Sequence, residues 1–156
     1  MAITLYGSGN ALIKTSSFTN GTRTSYPSSA SNSTINTLWT VSVTKINNTS
    51  NFNVKGLLQH YTANNGGGTW FVRINGGSWI TGGTHMYVSG ASYGMYDAIQ
   101  AYIPASSINA GTVTIDVGWS SGTGKPANIW NPNSTDSAAE MYYQSYSQLV
   151  VDEISG

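Results

Sequence analysis

Apolar and polar residues alternate with period two along most of the chain, the pattern of half-buried strands. Trp39, Val41 and Val43 share one face of a strand over 39–44, with Thr40, Ser42 and Thr44 on the other. Phe52, Val54 and Leu58 point inward from a second strand over 52–58, and the turn residues of 47–51 make the two a hairpin. Trp70, Val72 and Ile74 give a third strand over 69–75, between the Asn/Gly breakers 64–68 and 75–77. Further strands are expected through His85–Val88, Tyr96–Ile103 (ended by Pro104), Thr112–Trp119 and Tyr146–Ile154. In Thr112–Trp119 the residues Val113, Ile115, Val117 and Trp119 face the core, and Asp116 faces out into solvent.

No segment has the period of an amphipathic helix; one helical turn is conceivable over Thr135–Met141. Short strands spaced by turn clusters predict an all-β, antiparallel β-sandwich. Seven or eight strands from Trp39 onward make it a jelly roll. Residues 1–36 differ. Their Ser/Thr/Asn-rich runs at 16–25 and 28–34 bury little, while Ile3–Tyr6 and Ala11–Ile13 offer apolar anchors. The expected division is an extended N-terminal arm, 1–36, that packs on a neighbouring subunit, and a jelly-roll domain, 37–156.

Composition narrows the function. Six Lys/Arg balance six Asp/Glu, and charged residues are only 8% of 156. This leaves no basic footprint for nucleic acid. Polarity comes from 22 Ser, 18 Thr and 15 Asn instead. The absence of Cys excludes disulfides, thiolate metal sites and a Cys nucleophile. No apolar run is long enough for a membrane helix, and the first ten residues lack the pattern of a secretory signal.

The inventory for catalysis is thin. His60 and His85 have no acidic neighbour in sequence and read as packed or surface residues. No Gly-x-Ser-x-Gly elbow is present. The glycines of 64–68 and 76–77 precede neither Lys-Ser/Thr nor a helix, which removes the phosphate-loop reading. Asn131–Asp136 offers oxygens but reads first as a turn, so no metal and no cofactor is expected. Asp152 and Glu153 are expected to guard an edge strand. The aromatic residues carry the binding argument. Trp70, Trp79, Trp130, Tyr142, Tyr143 and Tyr146 lie near loops or strand ends, where rings could stack on the apolar faces of sugars. The same residues suit a core or a subunit interface, and for each Trp that use weighs more.

Ala110–Trp119, the run Asn131-Pro132-Asn133-Ser134 and the closing Ser147-Gln148-Leu149-Val150-Val151-Asp152-Glu153-Ile154 together resemble the β-rich surface proteins of tailed bacteriophages. The resemblance spans residues 37–154 and rests on a structural pattern. It implies a homotrimeric jelly roll similar to the tumour-necrosis-factor-like fold, found as capsid decoration knobs or tail-fibre tips, with no catalytic residue. The expected function is therefore a non-enzymatic virion protein assembled in the host cytoplasm, a trimeric decoration protein whose arm contacts the major capsid or other virion proteins. The alternatives are a fibre tip or lectin-like domain for cell-surface glycans, and, last, a glycan-cleaving enzyme using Asp97, Asp116 or Glu140.

Overall fold

A computed structural model of the chain describes residues 11–26, 34–62, 67–85, 93–121, 128–131 and 146–156. These residues form ten strands: β1 (Leu12–Asn20), β2 (Thr24–Tyr26), β3 (Asn36–Lys45), β4 (Asn51–Thr62), β5 (Gly68–Ile74), β6 (Ile80–His85), β7 (Tyr93–Ile103), β8 (Gly111–Ser121), β9 (Asn128–Trp130) and β10 (Ser147–Ile154). A single 3-10 turn, Ala105–Ser107, follows Pro104. The expected helical turn at 135–141 falls outside the described residues.

The pairing is nested. β5 pairs with β6, β4 with β7, β3 with β8 and β1 with β10, every pair antiparallel. A long hairpin of four such pairs has been rolled up so that its strands fall alternately into two sheets. One sheet runs β1-β10-β4-β7, and the other runs β3-β8-β5-β6. This is the eight-strand jelly roll. The short β9 continues the line of β10 along β4, through His60↔Trp130 to Thr62↔Asn128. β2 continues the line of β1 by pairing with β9.

Period-two alternation decides which side chains fill the space between the sheets. Trp39, Val41 and Val43 from β3 and Val113, Ile115, Val117 and Trp119 from β8 meet Phe52, Val54 and Leu58 from β4 and Leu149 and Val151 from β10, all under a tenth exposed. Burying each such aliphatic chain stabilises the fold by about 1.5–3 kcal/mol.

Residues 12–20 correct one expectation. They do not extend away as an arm but form the first strand of this chain's own sandwich, in register with β10 from Leu12↔Ile154 to Asn20↔Ser147. Phe18 packs against the core from that strand. The cause is visible in the burial of β1. Its residues alternate only between partly buried and exposed, so small polar side chains suffice at a sheet edge. Residues 1–10 and 27–33 of the expected arm lie outside the described residues.

The sandwich has two unlike ends. The connections 46–50, 75–79 and 104–110 are short and lie at one end. The β5–β6 connection begins with Asn75 and Gly76, both at positive φ (48° and 70°), the pattern favoured in tight hairpins. Thr62 of β4, Gly68 of β5, His85 of β6, Tyr93 of β7 and Ser121 of β8 mark the other end.

Candidate functional site

Of the aromatic residues named for a sugar platform, the described ones do not form one exposed surface. Trp70 is fully buried on β5, and its indole N–H donates to Asp97 Oδ2 at 2.7 Å. Trp130 is 1% exposed and donates to Ser147 Oγ at 2.7 Å, its ring 5.8 Å from that of Trp39. Neither ring presents a face to solvent. Trp79 is partly buried outside the second sheet, its ring 4.3 Å from the Arg73 guanidinium carbon and edge-on to Phe71. Tyr142 and Tyr143 lie outside the described residues. Of the six aromatic residues, Tyr146 is the one described as exposed, at 51%.

The exposed rings are gathered elsewhere. Tyr96 and Tyr102 on β7, Tyr146 just before β10 and Leu57 on β4 are each about half exposed. The register places Leu57 between Ala98 and Gln148, and Lys55 between Gln100 and Val150, on the outer face of the first sheet. A shallow groove of about 290 Å³ is lined by Leu57, Tyr96, Tyr146 and Gln148. A second depression of about 410 Å³ shares Leu57 and Gln148 with it and extends to Lys55, Ala98 and Gln100. The second hollow lies over Ala98, whose side chain offers little bulk on this face. At Gly56 the strands approach closely, and a Cβ would meet the Gln148 carbonyl oxygen at 2.8 Å and the core side chains of Ile99 and Leu149.

The electrostatics of this face are quiet. Lys55 Nζ lies 2.9 Å from Asp152 Oδ2, and the Thr15 hydroxyl donates to Asp152 Oδ1 at 2.8 Å. Partial burial opposes the charge of Asp152, but the hydrogen bonds from Lys55 and Thr15 outweigh it and hold the carboxyl below its ordinary range. Two buried carboxamide oxygens, Asn53 Oδ1 and Gln59 Oε1, accept no hydrogen bond. Both residues alternate outward on β4, opposite Tyr102 and Tyr96 respectively.

Among the described residues, two clusters of ionisable side chains occupy the interior. Near the Thr62 end of β4, His60 is fully buried between Trp70 and Trp119, with ring centroids 5.8 and 4.4 Å away, and its Nδ1 lies 3.4 Å from Asp97 Oδ2. The packed reading of His60 holds, with a carboxylate partner that sequence distance concealed. At the other end, Glu153 is 2% exposed and accepts the N–H groups of Ile46 and Asn47 at 2.9 Å and the Ser50 hydroxyl. Burial opposes its charge, yet these donors and the charge of Lys45 outweigh it and lower its pKa. Lys45, 1% exposed, donates to the carbonyls of Ile108 at 2.7 Å and Asn48 at 3.2 Å, and burial lowers its pKa against the pull of Glu153.

Two expectations for acidic residues are corrected. β10 lies between β1 and β4, so Asp152 and Glu153 guard no edge: one pairs across the sheet and the other ties down a turn. Asp116 does face away from the core, but it is 8% exposed, held by Arg73 Nε at 2.7 Å and the Thr40 hydroxyl at 2.6 Å. Among the described residues no three His, Asp or Glu side chains come together as a metal site would require.

No known protein family and no curated protein matches the chain. Solved structures of infectious bursal disease virus are similar to it in fold. The Gx strain structure gives a TM-score of 0.46 at 14% identity, covering 100% of this chain and 41% of that one. The VP2 subviral particle gives 0.47 at 13% identity, covering 97% and 42%. The Gt strain gives 0.48 at 13% identity, covering 100% and 42%. The chain thus spans about two fifths of the length of these structures. The fold assignment rests on the strand order itself.

Proposed function

We propose that the protein is a non-enzymatic structural component of a virion, a jelly-roll subunit of a trimeric decoration protein on the capsid of a tailed bacteriophage. The observation that carries the reading is the nested order β1-β10-β4-β7 facing β3-β8-β5-β6. Among small all-β architectures this double sheet recurs in viral capsid and lectin domains. The run Ala110–Trp119 and the closing strand Ser147–Ile154, on which the resemblance to phage surface proteins stands, are the partners of β3 and β1 in that order.

The acidic and basic groups described in the interior support a structural role. His60 and Asp97 are walled in by indole rings, and Glu153 and Lys45 are bonded to turn backbone. Each ties strands or turns of the sandwich together. A Ser/Thr/Asn-rich surface with few charges is consistent with subunits that gain stability by association.

Gold-labelled antibody on intact virions, with sedimentation of the purified chain, tests the proposal. Label spread over the head and a trimeric mass support it. Label at the tail end replaces decoration by host adhesion, and unlabelled particles overturn the virion reading.

A further inference from the structure

The outer face of the first sheet carries chemistry that the proposed structural role does not use. From its geometry we infer that the groove bounded by Tyr96, Tyr146, Leu57 and Gln148 is a binding site for an uncharged saccharide. The site is independent of where the protein sits on a particle.

Three observations converge on it. The first is shape and size. The groove of about 290 Å³ opens into the neighbouring depression of about 410 Å³ through shared Leu57 and Gln148. Each alone matches the small end of ligand sites, and together they suit one or two sugar rings. The second is the kind of side chain. Tyr96 and Tyr146 are 58% and 51% exposed, although a tyrosine ring normally hides much of its apolar area. A pyranose has one face of C–H groups that packs on such rings and a rim of hydroxyls that both donate and accept. Gln148 and Gln100 supply amide groups that meet either need.

The third is charge and unmet bonding. Among the described residues the charges on this part of the face are Lys55 and Asp152, spent on each other at 2.9 Å, so they leave no net charge to favour an acidic ligand. Gln59 lies directly opposite Tyr96 on the same outer side of β4. It is 8% exposed, and its Oε1 accepts no hydrogen bond. A buried acceptor left this way is costly and marks a place where a donor belongs. A sugar hydroxyl entering beside Tyr96 is such a donor, with a small shift of the ring.

The full chain on an array of neutral and acidic glycans, followed by titration calorimetry with the neutral glycans that score, tests the site. Tyr96→Ala, Tyr146→Ala and Gln148→Ala each weaken binding about tenfold or more. Tyr102→Ala leaves it within about twofold, because Tyr102 is equally exposed on the same sheet but lines neither hollow. Affinity stays constant between about 50 and 500 mM salt. Circular dichroism of each variant separates lost binding from lost fold. The inference is overturned if no neutral glycan binds, if only acidic glycans bind and salt abolishes it, or if Tyr102→Ala is as damaging as Tyr96→Ala. It is also overturned if Tyr96→Ala and Tyr146→Ala instead turn an oligomer into monomers in sedimentation, which would make this face a contact between copies of the chain.

Discussion

Trp79 packs against Gly118: a Cβ at position 118 would stand 2.6 Å from its ring and 2.8 Å from the Ile35 side chain. The contact pins the β5–β6 connection onto the outside of β8, and Arg73 closes over the same ring. Gly118→Ala therefore displaces the indole, at a cost of about 1–3 kcal/mol, the range for overpacking. Urea unfolding followed by tryptophan fluorescence measures it, with the midpoint falling and the slope unchanged.

The turn after β3 depends on one carboxylate. Glu153→Ala leaves the N–H groups of Ile46 and Asn47 and the Ser50 hydroxyl without their acceptor. A loss of about 3 kcal/mol is expected, with Glu153→Gln costing less because one oxygen remains. Hydrogen exchange at Ile46 and Asn47 accelerates in both variants, localising the effect.

Acid acts through the same group. The pKa values of Glu153 and Asp152 are lowered in the folded protein, so the stability they contribute is fully present above their ordinary values of 4.5 and 3.8. It drains away as pH falls below that window, where the unfolded chain takes up protons that the folded chain still excludes. The denaturant midpoint holds steady from about pH 7 to pH 5 and declines below about 4.5. Glu153→Gln flattens that decline, and an unchanged slope in the variant would assign the acid sensitivity to other carboxyl groups.

Deletion of residues 1–20 tests whether the first strand belongs to the sandwich in solution. Without β1, strand β10 loses its partner along Leu12–Asn20 and becomes an open edge. The truncated chain is expected to aggregate on expression. Conversely, limited proteolysis of the intact protein should spare 12–20. Recovery of a soluble, cooperatively folding 21–156 fragment would show that β1 contributes little.

Trp130→Phe removes the indole donor to Ser147 Oγ but keeps the ring beside Trp39. Ser147 still accepts from the Gln59 amide and donates to Asn131. The expected cost is about 1 kcal/mol, against about 3–5 kcal/mol for Trp130→Ala, which empties the pocket. Paired midpoints from thermal unfolding distinguish the two.

The strands legible in the sequence are those with one dry face. Val113, Ile115, Val117 and Trp119 announced β8 because every second residue is large and apolar. β1 left no such signal: its partly buried positions hold Lys14, Ser16 and Phe18, and its place is fixed by backbone pairing to a strand more than a hundred residues away. The candidate groove escaped notice for a related reason. In Tyr96–Ile103 the inward set is Asp97, Ile99, Ala101 and Ile103, so the larger rings sit on the outer side, against the usual sense of the alternation. His60 and Asp97 are 37 residues apart and meet only because β4 and β7 pair. Trp70 and Trp130 were the opposite case, rings placed near loops by sequence yet needed to fill the ends of the core.

The two ends of the described fold are stitched side by side. Ala11 donates its N–H to Ser155 Oγ at 2.7 Å and accepts that of Ser155 at 2.9 Å. A short linker from Gly156 to Ala11 can therefore join them with little strain, and the chain can be reopened at the exposed turn 75–78, giving a circular permutant. Fusing cargo before Ala11 or after Gly156 has a matching geometric result. Both attachment points sit at the pole of the short turns, so a fused domain emerges there and leaves the opposite pole uncovered.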